Sequence, residues 1–142
     1  MGGEPFVARL RIEAPAEIVF DCFCDPRALI TWMGESAELE PRPGGVFALE
    51  VGRVKVRGRY EVVDRPRRLV FTWGLADSEL FPPGSSSVEV TLTPDAGATE
   101  LTLIHRGLPA HESPRHARGW AHFLARLARA VPGMGAVPGS PS

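Results

Sequence analysis

Residues 113–131, SPRHARGWAHFLARLARAV, constrain this chain more than any other stretch. Ala117, Trp120, Leu124, Leu127 and Val131 recur at steps of three and four, Phe123 and Ala128 widen the stripe, and Arg115, Arg118, Arg126 and Arg129 take much of the remaining surface. This is the period of an amphipathic helix. Ser113 is placed to cap its start, and Pro114 to sit in the first turn, where a missing N–H costs nothing. At about 1.5 Å per residue the helix is roughly 28 Å long, enough to cross several strands spaced about 4.8 Å apart. Alone it is marginal in water. Ordering each residue costs roughly 1–2 kcal/mol of backbone entropy, and burying each large apolar side chain returns about 1.5–3 kcal/mol. The rest of the chain must supply a surface for its stripe.

Alternation supplies that surface. Residues 5–12, PFVARLRI, set Phe6, Ala8, Leu10 and Ile12 against Val7, Arg9 and Arg11, the pattern of a strand with one dry face. The period then changes: Pro15, Glu17 and the apolar Ala16, Val19, Phe20 and Phe23 predict a short helix. Asp25-Pro26 starts a second, with Leu29, Trp32 and Met33 on its apolar side and Gly34 closing it. Strands are predicted at 36–40, 46–51, 54–63, 69–73, 88–93 and 99–106, with Gly52-Arg53 suiting a type II′ hairpin. Consecutive strands with short turns form an antiparallel sheet. Its dry face carries Phe47, Leu49, Val51, Val54, Val56, Gly58, Tyr60, Val62, Leu69, Phe71, Trp73, Val88, Val90, Leu92, Leu101, Leu103 and His105. Lys55, Arg57, Arg59, Glu61, Glu89 and Arg106 fall on the other face, where opposite charges can pair across strands.

A chain of 142 residues, 44% hydrophobic and 23% charged, suits one compact domain. We assign it to residues 1–131, and 132–142, PGMGAVPGSPS, to a disordered tail with almost nothing to bury. The net charge of −1 provides no basic field for nucleic acid and no polybasic membrane anchor. Cys22 and Cys24 lie two apart in a predicted helix, where their side chains diverge too far for a disulfide. With no signal core and no run of about 20 apolar residues, the expected location is cytoplasmic, without membrane insertion.

With that order of elements in place, the segments EAPAEIVFDCFCDPRALITWMG, ELEPRPGGVFAL, GRYEVVDRPRRLVFTW, VEVTLTP, TELTLIHRGLP and HARGWAHFLARLA resemble successive motifs of the SRPBCC (START/Bet v 1-like) superfamily. Within it they are similar to the branch of the C-terminal domain of the activator of Hsp90 ATPase, over about residues 5–131. The resemblance implies an α+β helix-grip fold, a curved antiparallel sheet wrapped around the C-terminal helix with a cavity between them. The Gly52-Arg53 hairpin looks shorter than in many relatives, leaving the cavity mouth less covered on that side. The superfamily holds lipid and hormone carriers as well as polyketide cyclases and aromatases, and fold alone does not choose among them.

If the cavity exists, its lining falls to Trp32, Met33, Phe47, Leu49, Tyr60, Phe71, Trp73, His105, Trp120 and Phe123, an aromatic set with a few polar atoms of the kind small-molecule pockets use. Leu124, Leu127 and Val131 read as anchors. The leading expectation is a carrier or sensor for a small hydrophobic or amphipathic molecule, without a cofactor. A cyclase- or aromatase-like enzyme would use His105 and Tyr60, the polar residues of the dry face, for proton exchange and carbonyl polarisation. A chaperone-associated interaction module is the third reading. ATPase stimulation is not carried over, because this sequence lacks the separate N-terminal domain of the eukaryotic activator. A homodimer is compatible with these residues but not specified by them. His116 and His122, six apart, face different sides of a helix and make no metal pair. Glu35 and Glu50 fall near the cavity rim. The loop 75–86, with Leu80 and Phe81, reads as a lid or partner contact with exposed apolar side chains.

Overall fold

The computed structural model of the chain describes residues 5–134. Strand β1 (Phe6–Ile12) is followed by helices α1 (Ala16–Asp21) and α2 (Pro26–Leu29). Six strands come next, β2 (Ser36–Leu39), β3 (Val46–Val51), β4 (Val54–Asp64), β5 (Arg68–Trp73), β6 (Ser86–Asp95) and β7 (Ala98–Arg106), and then helix α3 (Ser113–Met134). The strands form one antiparallel sheet in the order β1-β7-β6-β5-β4-β3-β2, so consecutive strands are neighbours and β1 closes on β7. This is the helix-grip arrangement. α3 crosses the dry face, touching β1 and α1, and buries Leu124, Leu127 and Val131.

Most inward positions follow the alternation, and one does not. Tyr60 pairs with Phe71, but Val62 pairs with Val70 and Val63 with Leu69, because a bulge leaves Glu61 without an opposite residue. An extra residue in one strand reverses the parity beyond it. Val63, not Val62, therefore packs against the core. Just before the bulge β4 and β5 approach closely: a Cβ on Gly58 would lie 1.9 Å from the Thr72 carbonyl oxygen. The Thr72 hydroxyl accepts the Arg59 N–H at 2.9 Å.

The core is built on rings. Phe47 stacks on Phe71 with centroids 4.2 Å apart, and Tyr60 meets Phe47 edge-on at 5.7 Å. The two short helices are tied to this core by polar atoms. Tyr60 donates its hydroxyl to the Phe23 carbonyl at 2.9 Å, and the Trp32 indole donates to the Cys22 carbonyl at 3.0 Å. On the opposite face Glu89 bridges Arg68 and Arg106, both at 2.8 Å, and the two guanidinium groups hold its carboxyl below the usual range.

Three expectations are corrected, two at the ends of α3 and one of burial. Ser113 is the first helical residue rather than the cap: its hydroxyl turns back toward the Pro109 carbonyl at 3.4 Å, and the Glu112 carbonyl accepts the first helical bond, from His116 N–H. α3 runs through Pro132 to Met134 instead of ending at Val131, a shift of the size expected at a helix end. The remainder of the expected tail, 135–142, lies outside the described residues. Phe81, expected to be exposed, is buried, while Leu80 alone of that pair faces solvent. The Leu75 N–H bonds to the Phe81 carbonyl and the Phe81 N–H to the Ser78 hydroxyl, which pins this loop onto the body.

The β6–β7 turn places Ala96 at φ +53° and Gly97 at φ +83°. Both central residues of a type I′ turn need positive φ, which alanine tolerates poorly and asparagine well. Ala96→Asn is expected to stabilise the fold by about 0.5–1 kcal/mol, read from urea unfolding midpoints at unchanged m-value.

Candidate functional site

Between the N-terminal half of α3 and the β3–β5 end of the sheet lies an open apolar cavity of about 220 Å³. The sheet contributes Val51, Val54 and Val56 with Trp73 and, just beyond β5, Leu75; the segment after α2 contributes Met33. α3 and the residue before it contribute Glu112, Arg115, His116, Gly119, Trp120 and Phe123. Val51 and Val54, which flank the short β3–β4 turn, stand on this wall, and Val54 is exposed.

Three residues of this wall, Trp73, His116 and Trp120, form an interlocked set with His105 behind them. The Trp120 indole N–H donates to His105 Nδ1 at 3.0 Å. A neutral imidazole that accepts at Nδ1 carries its proton on Nε2, so His105 Nε2–H donates to Ser86 Oγ at 2.8 Å, and that hydroxyl donates to the Trp73 carbonyl, also at 2.8 Å. The Trp73 indole N–H donates to His116 Nε2 at 3.2 Å. His116 is then protonated on Nδ1, which lies 3.1 Å from the Glu112 carbonyl oxygen. Phe81 packs edge-on against His116, with centroids 5.4 Å apart.

Both imidazoles are held neutral. Burial pushes His105 down to about 3, with His116 adding to the shift. Burial also lowers His116, partly opposed by its contacts with Glu112. His105 has both ring nitrogens engaged, and burial drives the Tyr60 phenol up. Neither group is free to exchange a proton with a molecule in the cavity.

Met33, Trp73, Trp120 and Phe123, of the ten residues proposed from sequence, are brought together on the cavity wall. His105 stands one layer behind, bonded to Trp120. Trp32, Phe47, Leu49, Tyr60 and Phe71 are fully buried in the adjoining core and do not line this cavity. Glu35 accepts the Gly52 N–H at 2.8 Å and Glu50 pairs with Arg57 at 3.7 Å, and neither lines the cavity. Sequence reasoning did not assign Glu112, Arg115, His116 and Gly119 to the lining, nor Val51, Val54, Val56 and Leu75. For Glu112, His116 and Gly119 the signal was the spacing 112, 116, 119, 123, which continues the apolar stripe of α3 into a polar end. Among the described residues, no three or more His, Cys, Asp or Glu side chains are grouped to hold a metal ion. Nor is any described helix long and apolar enough to cross a membrane.

The sequence profile described as Activator of Hsp90 ATPase homolog 1-like protein matches residues 13–132. The chain belongs to this family. An AHSA1-like protein from Rhizobium etli, solved in solution, is 40% identical; the match covers 94% of this chain and 88% of that one, with a TM-score of 0.69. The crystal structure of protein MLL2253 from Mesorhizobium loti, at 21% identity, covers 94% of this chain and 100% of its own with a TM-score of 0.80, a likeness of fold. An uncharacterized protein of Schizosaccharomyces pombe is 31% identical over 127 residues, 88% of this chain. The chain spans about a third of that curated relative, 36% of its length. The family assignment agrees with the superfamily resemblance carried by the sequence motifs.

The buried neutral histidines give this family member a defined acid response. The unfolded imidazole, with a pKa of about 6.5, takes up a proton that folded His105 refuses. Stability is therefore unaffected above about pH 7, falls as pH drops through about 6.5, and goes on falling toward about 3. At pH 5 the loss from His105 alone is about 2 kcal/mol, measurable by urea unfolding at pH 7 and pH 5. His105→Gln is expected to be less stable at pH 7 but to show a shallower loss on acidification.

Proposed function

We propose that this protein binds a small hydrophobic or amphipathic molecule in the cavity between α3 and the sheet, as a carrier or sensor rather than as a catalyst. The observation that carries this reading is Gly119. Glycine inside a helix costs about 1 kcal/mol relative to alanine. Here no close approach requires it: a Cβ at this position would meet nothing within 4 Å. Gly119 lines the cavity, so helix stability is given up where a side chain would take volume from it. The wall is apolar and aromatic, and its rings are fixed by hydrogen bonds and packing before any ligand arrives, which lowers the ordering cost of binding.

Volume bounds the occupant. A cavity of about 220 Å³ exceeds the ~150 Å³ that holds benzene and lies below the ~300 Å³ at which drug-sized sites begin. It suits a single ring with a short chain. The alternative of a cyclase- or aromatase-like enzyme relied on His105 and Tyr60, and their engagement in core hydrogen bonds argues against it.

Gly119 separates stability from binding. Gly119→Ala is expected to raise stability by about 0.5–1 kcal/mol. Gly119→Leu is expected to retain the fold by circular dichroism and to abolish binding of toluene and ethylbenzene, followed by the ring-proton and indole signals in NMR titrations. Equal binding to wild type and Gly119→Leu, or none to wild type, would overturn the reading.

A further inference from the structure

Glu112 immediately precedes α3 and its side chain is 8% exposed. Its residue lines the cavity beside His116 and Trp120, yet Oε1, fully buried, accepts no hydrogen bond from the described residues. The nearest donor, His116 Nδ1, lies 3.3 Å away, but its single proton is aligned on the Glu112 carbonyl oxygen instead. His111 Nε2 is 3.6 Å from the other carboxyl oxygen, beyond hydrogen-bond length. The positive end of the α3 dipole favours an anion here, but it does not supply a donor to Oε1. Buried acceptors in native proteins are nearly always satisfied, and an exception on a cavity wall calls for a partner.

We propose that Glu112 receives the head group of the ligand: the cavity takes a small apolar molecule, one ring with a short chain, ending in a hydrogen-bond donor, an alcohol or a primary amine. The inference rests on the ligand-binding reading above and adds an orientation to it. The donor end lies against Glu112, and the apolar body extends past Trp73 toward Met33 and Phe123. The neutral form of His116 matters to this assignment. With Nε2 taken by Trp73 and Nδ1–H committed to the backbone, it gives Oε1 no proton, and a turn of the buried carboxyl toward the cavity brings this oxygen to the incoming donor. Arg115 lies on the same wall, and of the two head groups the neutral alcohol avoids its charge.

Three compounds of one shape test the idea: 2-phenylethanol, 2-phenylethylamine and n-propylbenzene, titrated into the full chain by NMR. Wild type is expected to bind at least one of the two donors about tenfold more tightly than n-propylbenzene, the ratio expected for a hydrogen bond to a carboxylate. Glu112→Gln, which keeps an acceptor oxygen, is expected to retain part of that preference. Glu112→Met is expected to lose it while still binding n-propylbenzene, which also reports that the variant is folded. If n-propylbenzene binds wild type as tightly as both donors, the role of Glu112 is overturned and the cavity reading stands. If none of the three binds, both fall. The wild-type comparison needs no variant, and equal binding of all three compounds overturns the role of Glu112 even where Glu112→Met does not fold.

Discussion

Two indole N–H groups determine how the long helix sits on the sheet. An indole nitrogen only donates, and once buried it must find an acceptor. Trp120 on α3 finds His105 on β7, and Trp73 on β5 finds His116 on α3. Each layer thus offers a tryptophan to a histidine of the other. Such a bond contributes only about 0.5–1.5 kcal/mol net, but leaving the buried donor without a partner costs about 1–3 kcal/mol. That asymmetry makes the pair a device for position more than for strength. It fixes the rotation and height of α3 at the one end where apolar packing is incomplete.

At the other end of α3, Leu124, Leu127 and Val131 are buried and do the ordinary work of a core. The contrast between the two ends explains how a cavity survives in a small domain. Closely packed interiors forfeit dispersion contacts around any void, so an opening of about 220 Å³ requires walls that cannot collapse inward. The rings of Trp73 and Trp120 are held by their N–H bonds, and His105 by Trp120 and Ser86. Phe81 packs against His116 from outside. Gly119 withholds the side chain that would otherwise fill the space. The same bonds commit His105, including the nitrogen that an acid–base catalyst would need free.

The architecture was legible because its signals are periodic. Alternation located the strands and their dry face, and steps of three and four located α3 and its anchors. Where a local event changes the count, the pattern misleads: the bulge at Glu61 exchanges Val62 for Val63, and no residue type announces it. Ser113 has the chemistry of a cap, but Glu112 occupies that place because the preceding turn bonds Ser113 back to Pro109. The site was half legible. Trp73, Trp120, Phe123 and Met33 are large apolar residues on elements that face each other, whereas Phe47, Tyr60 and Phe71 share the same face but lie where the sheet and short helices close fully. Which part of a dry face stays open depends on how α3 crosses it, a tertiary fact. Glu112, His116 and Gly119 each had a commonplace local reading, and only their convergence on one cavity gives them meaning.

The central claim is that the space between Met33, Trp73, Gly119 and Phe123 is a preformed, apolar binding cavity. Xenon enters apolar cavities of this kind without specific polar contacts, so a crystal of the unliganded protein pressurised with xenon tests it directly. The account predicts anomalous density for a xenon atom at that position, with the Trp73 and Trp120 side chains unmoved. A cavity filled by protein side chains, with no xenon between α3 and the sheet, would contradict it.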